Sequence, residues 1–166
     1  MPAPPSYAKL EIERRWLVPA EAEVGGVATR ERIIEDRYVK GTRLRLRKVT
    51  ETGNATIYKL GKKYESDCPG THHVVSIYLS EAEYNVLACL PAHTATKIRL
   101  TISGGALDVY EEPNAGLRVF EVEFLSAKEA VAYVPPSGVG REVTNEPAFT
   151  GHALASAAYP SRKLTC

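Results

Sequence analysis

The sequence predicts an α+β fold dominated by antiparallel sheet, and three observations lead to it. Eight short runs rich in Val, Ile, Thr and Tyr are spread along the 166 residues, separated by Gly, Pro and Asn clusters. Only three segments carry helix signals. Four of the eight runs alternate charged with apolar residues, so one face of each is charged and the other greasy.

Residues 1–7 form a proline-rich lead-in, residues 8–159 a single domain and 160–166 a tail. The first strand, 9–18, sets Glu11, Glu13 and Arg15 on one face and Leu10 and Ile12 on the other. Side chains two apart on a strand lie about 7 Å apart. Gly25-Gly26 separates it from a strand at 32–40, and Lys40-Gly41 leads into 43–50, where Arg45 and Arg47 alternate with Leu44 and Leu46. Thr52-Gly53-Asn54 precedes a strand at 55–60, after which Lys62-Lys63 reads as a solvated loop or, alternatively, as a contact at the rim of a site. Pro69-Gly70 precedes 73–79. Ser80 and Glu83 make a capping box, each side chain satisfying the other's free backbone amide. The box opens a helix to about Leu90, with Ala82, Val86, Leu87 and Leu90 on one stripe and Pro91 as the stop.

In the strand at 97–103, Lys97 and Arg99 oppose Ile98, Leu100 and Ile102. Gly104-Gly105 reads as a hairpin turn into 107–111, where Asp108 and Tyr110 share a face and Asp108 points to the charged side. The strand at 118–125 sets Glu121 and Glu123 against Phe120, Val122 and Phe124. Ser126 and Glu129 form a second capping box, whose helix ends before Pro135-Pro136, and a third helix runs from Pro147 to about Tyr159. Trp16 falls on the apolar side and belongs to the core.

A solvated outer face explains any one of these strands. The set points elsewhere, because Glu-x-Glu and Arg-x-Arg place like charges two residues apart with nothing between them. A sheet closed into a barrel with the charges inside makes a polar tunnel able to hold one ligand.

Composition narrows the function classes. A net charge of +1 excludes a global field for nucleic acid or membrane. Apolar and charged fractions of 44% and 25% are those of a globular domain. Cys68, Cys89 and Cys166 show no metal-ligand spacing, and an odd count without a secretory signal suits reduced thiols in the cytoplasm. No apolar run reaches the length of a membrane span. Walker A, kinase and His-Glu-x-x-His patterns are missing.

The order of motifs resembles the CYTH domain of the triphosphate tunnel metalloenzymes. Glu11-Ile-Glu13-Arg-Arg15 is similar to that family's Glu-x-Glu-x-Lys, with arginine in the last place. Arg45-Leu-Arg47, Thr56-Ile-Tyr-Lys59, Lys97-Ile-Arg99, Asp108-Val-Tyr110, Gly116-Leu117, Glu121-Val-Glu123 and Gly140-Arg-Glu-Val-Thr144 follow in family order over roughly residues 8–155. The chain departs at Thr71-His-His-Val-Val-Ser-Ile77, where many members carry Arg-x-Glu-x-Glu. His73 there is an exposed histidine or, alternatively, a phosphate contact.

The resemblance implies an eight-stranded antiparallel β-barrel, a tunnel, with helices packed on the outside. It implies metal-dependent hydrolysis of inorganic triphosphate or a small organic triphosphate. Glu11, Glu13 and Glu123 would hold Mg²⁺ or Mn²⁺. Arg15, Arg45, Arg47, Lys59, Lys97 and Arg99 would bind the phosphate chain, with Arg45 and Lys59 also serving catalysis beside Glu121, which would orient the attacking water. Arg43 sits at the tunnel mouth or in solvent. The expected partner is a small triphosphate, with no nucleic-acid polymer or membrane, on a monomer or homodimer. Rival readings are a thiamine triphosphatase, an adenylate cyclase, or a module that binds polyphosphate or nucleotide without cleaving it, as the missing carboxylates of the fifth strand suggest.

Overall fold

The computed structural model describes residues 3–157, apart from 65, 67, 69 and 103. The tail at 160–166, Cys166 and the end of the expected third helix lie outside the described residues. Eight antiparallel strands close into a barrel in the order β1-β5-β4-β3-β2-β6-β7-β8. They are β1 (Lys9–Leu17), β2 (Arg30–Val39), β3 (Leu44–Thr50), β4 (Ile57–Tyr64), β5 (Thr71–Leu79), β6 (Ala92–Ile102), β7 (Gly105–Tyr110) and β8 (Arg118–Phe124). Closure depends on β1, which pairs with β5 through Lys9–Ile12 and with β8 through Ile12–Leu17. Glu13 thereby lies opposite Glu123, and Arg15 opposite Glu121.

Two strands outrun their sequence signals. β4 continues to Tyr64, so Lys62 and Lys63 belong to the barrel wall and not to a loop. Leu60-Gly61-Lys62-Lys63 has no alternation to announce a strand, and the extension is held by pairing with Val74 and Val75 of β5. β6 begins at Ala92, because the polar stretch His93–Thr96 pairs with the end of β2.

The apolar strand faces point outward and are covered in part. Trp16, Phe120, Val122, Leu107 and Ile102 form one core on the outside of the wall with Val18 and Val24, and Tyr133 packs against it. Trp16 is 2% exposed, with its ring 6.2 Å from Phe120 and 5.7 Å from Tyr133. Helix α2 (Ala127–Ala132) covers this region, packing on β1 and β8. Ser126 accepts from the Glu129 amide as expected, but the Glu129 carboxylate reaches the Leu125 amide and not that of Ser126. Helix α1 (Glu81–Ala88) starts on the full Ser80–Glu83 box. It packs through Tyr84, whose ring lies 4.7 Å from Tyr58. The expected stripe is not its buried face, since Val86 is 73% exposed. Tyr84 offers more area to the flat barrel wall than a row of small aliphatics does.

The C-terminal segment departs from the expected outer helix. A 3₁₀ turn at Pro147–Phe149 precedes the short helix α3 (Gly151–Ser156). Phe149, Leu154 and Val143 pack on Tyr110, Leu117 and Val119. Tyr110 and Val119 lie on the interior side of β7 and β8, so this segment closes one end of the barrel. Thr150 is extended between the turn and the helix and its side chain accepts from the Ala153 amide, so the run breaks there and starts afresh. Among the described residues no helix is long and apolar enough to cross a membrane.

Gly105 shows how closely the wall is packed. A Cβ there would lie 2.6 Å from Phe120 Cζ and 2.9 Å from the Glu121 carbonyl oxygen. Gly105→Ala should therefore destabilise the fold by about 1–3 kcal/mol. Urea unfolding checks this, and an unmoved midpoint would contradict the β7–β8 packing.

Candidate active site

A cavity of about 550 Å³ occupies the barrel interior. Eight cationic side chains line it, Arg15, Arg43, Arg45, Arg47, Lys62, Lys63, Lys97 and Arg99, against the carboxylates of Glu11, Glu13, Glu121 and Glu123. Buried Asp36 and Asp108 add two carboxylates behind the basic side. Six negative charges then face eight positive ones, an excess suited to an anion.

The charges are segregated by strand. Glu11 and Glu13 on β1 and Glu121 and Glu123 on β8 make an acidic wall, because β1 and β8 are direct neighbours. Arg45 and Arg47 on β3 and Lys97 and Arg99 on β6 make a basic wall, with β2 between them. Asp36 of β2 ties one half: Arg47 donates from Nε and Nη2 at 2.6 and 2.7 Å, and Arg45 Nε lies 3.7 Å away. Asp108 of β7 ties the other half, accepting from Lys97 Nζ at 2.5 Å and from Arg99 at 2.6 and 2.7 Å. Arg99 also lies 3.4 Å from Glu121. The forked guanidinium suits such two-point contacts, which hold the side chain in place.

These pairings decide the ionisation of the buried groups. Burial alone would raise the Asp36 pKa, but Arg47 and then Arg45 hold it well below the usual carboxylate range. Burial acts on Glu121 in the same direction, and Arg99, Lys97, Lys63 and Arg15 together keep it charged, well below that range. Glu13 behaves oppositely. Burial and then the neighbouring charges of Glu121 and Glu11 raise it, despite the opposing pull of Lys63 and Arg15. Tyr38, beside Asp36 in the wall, is pushed up to about 12 by burial and by that carboxylate.

Of the expected phosphate contacts, Arg45, Arg47, Lys97 and Arg99 line the cavity together. Arg15 lines it too, but its guanidinium donates to the carbonyls of Phe149 at 2.7 Å and Thr144 at 3.2 Å, anchoring the closing segment. Lys59 stands apart: it lies opposite Arg47 across β3–β4, yet its ammonium rests over the Tyr78 ring at 4.8 Å, outside the cavity lining. Lys63, further along the same strand, lines the cavity and reaches Glu11 at 2.5 Å and Glu13 at 3.2 Å. Arg43 is at the rim, as one of the two sequence readings had it. His72, not His73, faces inward, with Nε2 4.0 Å from Glu13.

Sequence reasoning missed Asp36, Lys63, Tyr38, His72 and the closing residues Phe149–His152. One available signal was that Arg45 and Arg47 require a buried counter-charge. Asp36 is the nearest acid to them upstream that shares parity with an interior position.

Carboxylate oxygens are the donors that Mg²⁺ and Mn²⁺ take. Burial first, and then the charges of Glu121 and Glu11, raise the Glu13 pKa against the pull of Lys63 and Arg15. Among the described residues no three His, Cys, Asp or Glu side chains are gathered closely enough to hold a metal by themselves.

The barrel resembles that of the inorganic triphosphatase NE1496. The match has a TM-score of 0.59 and 25% identity, covering 89% of this chain and 95% of that one. Another structure of NE1496, described as a hypothetical protein, matches at 0.60 with 24% identity over 90% of this chain and 99% of that one. A conserved hypothetical protein from Pyrococcus furiosus shares the fold at 0.50, with 21% identity over 73% of this chain and 83% of that one. No family model and no curated protein matches the chain.

Asp36 is the residue whose loss the basic wall can least tolerate. Asp36→Asn leaves buried Arg47 and its neighbour Arg45 without their shared carboxylate, a loss of about 3–5 kcal/mol. The folded pKa of Asp36 is lowered, so its contribution is present above the unfolded value of about 3.9 and is lost as pH falls from there toward the folded value. Thermal unfolding at neutral pH should show the variant clearly less stable, with the gap narrowing in acid. Equal melting temperatures at pH 7 would contradict the pairing.

Proposed function

We propose that this protein is a metal-dependent triphosphatase of the triphosphate tunnel type, hydrolysing inorganic triphosphate or a small organic triphosphate in the barrel interior. The observation that carries this reading is the facing of the β1/β8 acidic wall and the β3/β6 basic wall across one cavity in the barrel interior. Its likeness to NE1496, an inorganic triphosphatase, supports the reaction class.

The chain's own residues divide the work. Arg45, Arg47, Lys97 and Arg99 bind and straighten the phosphate chain, their guanidinium forks pairing with phosphate oxygens. Their positions are pre-set by Asp36 and Asp108, so little rearrangement accompanies binding. Glu11 and Glu13, joined by Glu123 nearer the rim, would hold Mg²⁺ or Mn²⁺, which when bound offsets charge on the transferring phosphoryl group. Glu121, charged and fixed near Arg99, accepts a hydrogen bond from the attacking water and orients it. Its low pKa makes it a positioning acceptor and not a strong base. The Phe149–His152 segment closes one end, which favours a short chain. The exposed unpaired thiols of Cys68 and Cys89 suit a reducing, cytoplasmic setting.

The neutral β5 positions His72 and Val74 leave a gap in the acidic wall, the ground for a second reading as a binding module. Phosphate release separates the two. With inorganic triphosphate and Mg²⁺ or Mn²⁺ we expect turnover that EDTA abolishes and that Glu13→Gln lowers by at least about 100-fold, roughly 3 kcal/mol of barrel-interior electrostatics. Tight binding with triphosphate intact would favour the module, and turnover unchanged in Glu13→Gln would remove the proposed site.

A further inference from the structure

Lys63 lies where two negative charges of the acidic wall converge. Glu11 and Glu13 point inward from alternate positions of β1, and Lys63 Nζ reaches both, at 2.5 Å from Glu11 Oε2 and 3.2 Å from Glu13 Oε1. It does so across a whole strand: Lys63 is opposite Val74 and Glu11 opposite His72, with β5 between. The interior side of β5 there carries no carboxylate to intervene.

The other basic residues of the site are held differently. Asp36 takes Arg45 and Arg47, Asp108 takes Lys97 and Arg99, and backbone carbonyls take Arg15. Those contacts are buried or half-buried, and those of Arg47 and Arg99 are two-pronged. Lys63 instead is a point charge on a flexible stem, its side chain 37% exposed. Its ammonium is exposed enough to leave, and the largely buried carboxylates of Glu11 and Glu13 then need an entering cation in its place.

We propose that Lys63 is a built-in counter-ion, holding the Glu11–Glu13 pair in the ligand-free protein and releasing it to turn to phosphate oxygens when a divalent cation and a polyphosphate enter. The inference rests on the function proposed above. Two consequences follow from charge alone. A divalent cation offered without phosphate competes with an ammonium already in place, so it binds weakly. Once phosphate is present, Lys63 has a new partner, so cation and phosphate each strengthen the binding of the other by the same factor.

Calorimetric titration of Mn²⁺ into the full chain tests this without any turnover. Wild type, Lys63→Met, Lys63→Gln, Lys63→Arg and Glu13→Gln are compared, each with and without imidotriphosphate, a triphosphate analogue with nitrogen bridges that resists hydrolysis. Without the analogue, both neutral variants should bind Mn²⁺ about tenfold tighter than wild type, within the usual range of such couplings, and Lys63→Arg should match wild type. The analogue should tighten Mn²⁺ binding in wild type and do so much less in the neutral variants. Mn²⁺ affinity lost in Glu13→Gln but unmoved in Lys63→Met and Lys63→Gln would overturn the counter-ion role alone. Absence of Mn²⁺ binding in every protein, with and without the analogue, would overturn both this role and the proposed function.

Discussion

Asp36 and Asp108 each bind two cations from neighbouring strands, and the interior of the barrel depends on those two clusters. A charge removed from water costs several kcal/mol unless it is paired and hydrogen-bonded. Closing this sheet buries Glu13, Arg15, Asp36, Lys97 and Asp108, so pairing is a condition of folding as well as of binding. The strand order meets that condition. β2 lies between β3 and β6, which puts Asp36 beside Arg45 and Arg47, while β7 lies against β6 and puts Asp108 beside Lys97 and Arg99. The paired cations remain positive and aimed inward, with their forks already fixed in direction.

The acidic wall is built by different logic. β1 and β8 pair directly, so Glu13 faces Glu123 with no cationic strand between them. Burial, and after it the charges of Glu121 and Glu11, raise the pKa of Glu13, beside a Glu121 that four cations keep charged. One barrel thus holds a basic wall satisfied from within and an acidic wall that attracts a further cation. Under the proposed function, that asymmetry would give a metal and a phosphate chain separate places in a single cavity.

Much of this was legible in the sequence wherever strict alternation survived. Glu11, Glu13, Arg45, Arg47, Lys97, Arg99, Glu121 and Asp108 all face inward as the period of two requires. The outward core around Trp16 and Phe120 follows from the same parity. The sequence was less informative where alternation fails. Asp36 sits in Ile33-Ile34-Glu35-Asp36-Arg37, which is charged or apolar on both faces, so its own strand did not mark it as interior and only the need of Arg45 and Arg47 for a counter-charge pointed to it. Lys63 follows Gly61-Lys62 and looked like a loop, because only pairing with β5 makes that stretch a strand. Val86 was misplaced because helix periodicity names a stripe without naming the surface it meets. The closing segment at 147–156 was hidden for a similar reason: its apolar residues fill the end of a barrel, which no local pattern describes.

The most direct test of charge segregation is diffraction from crystals soaked with Mn²⁺ and imidotriphosphate. Anomalous scattering should place Mn²⁺ about 2.0–2.3 Å from carboxylate oxygens of Glu11 or Glu13, with the phosphate chain running toward Arg45, Arg47, Lys97 and Arg99. Manganese and analogue bound only on the outer surface, with the barrel interior unchanged, would contradict it.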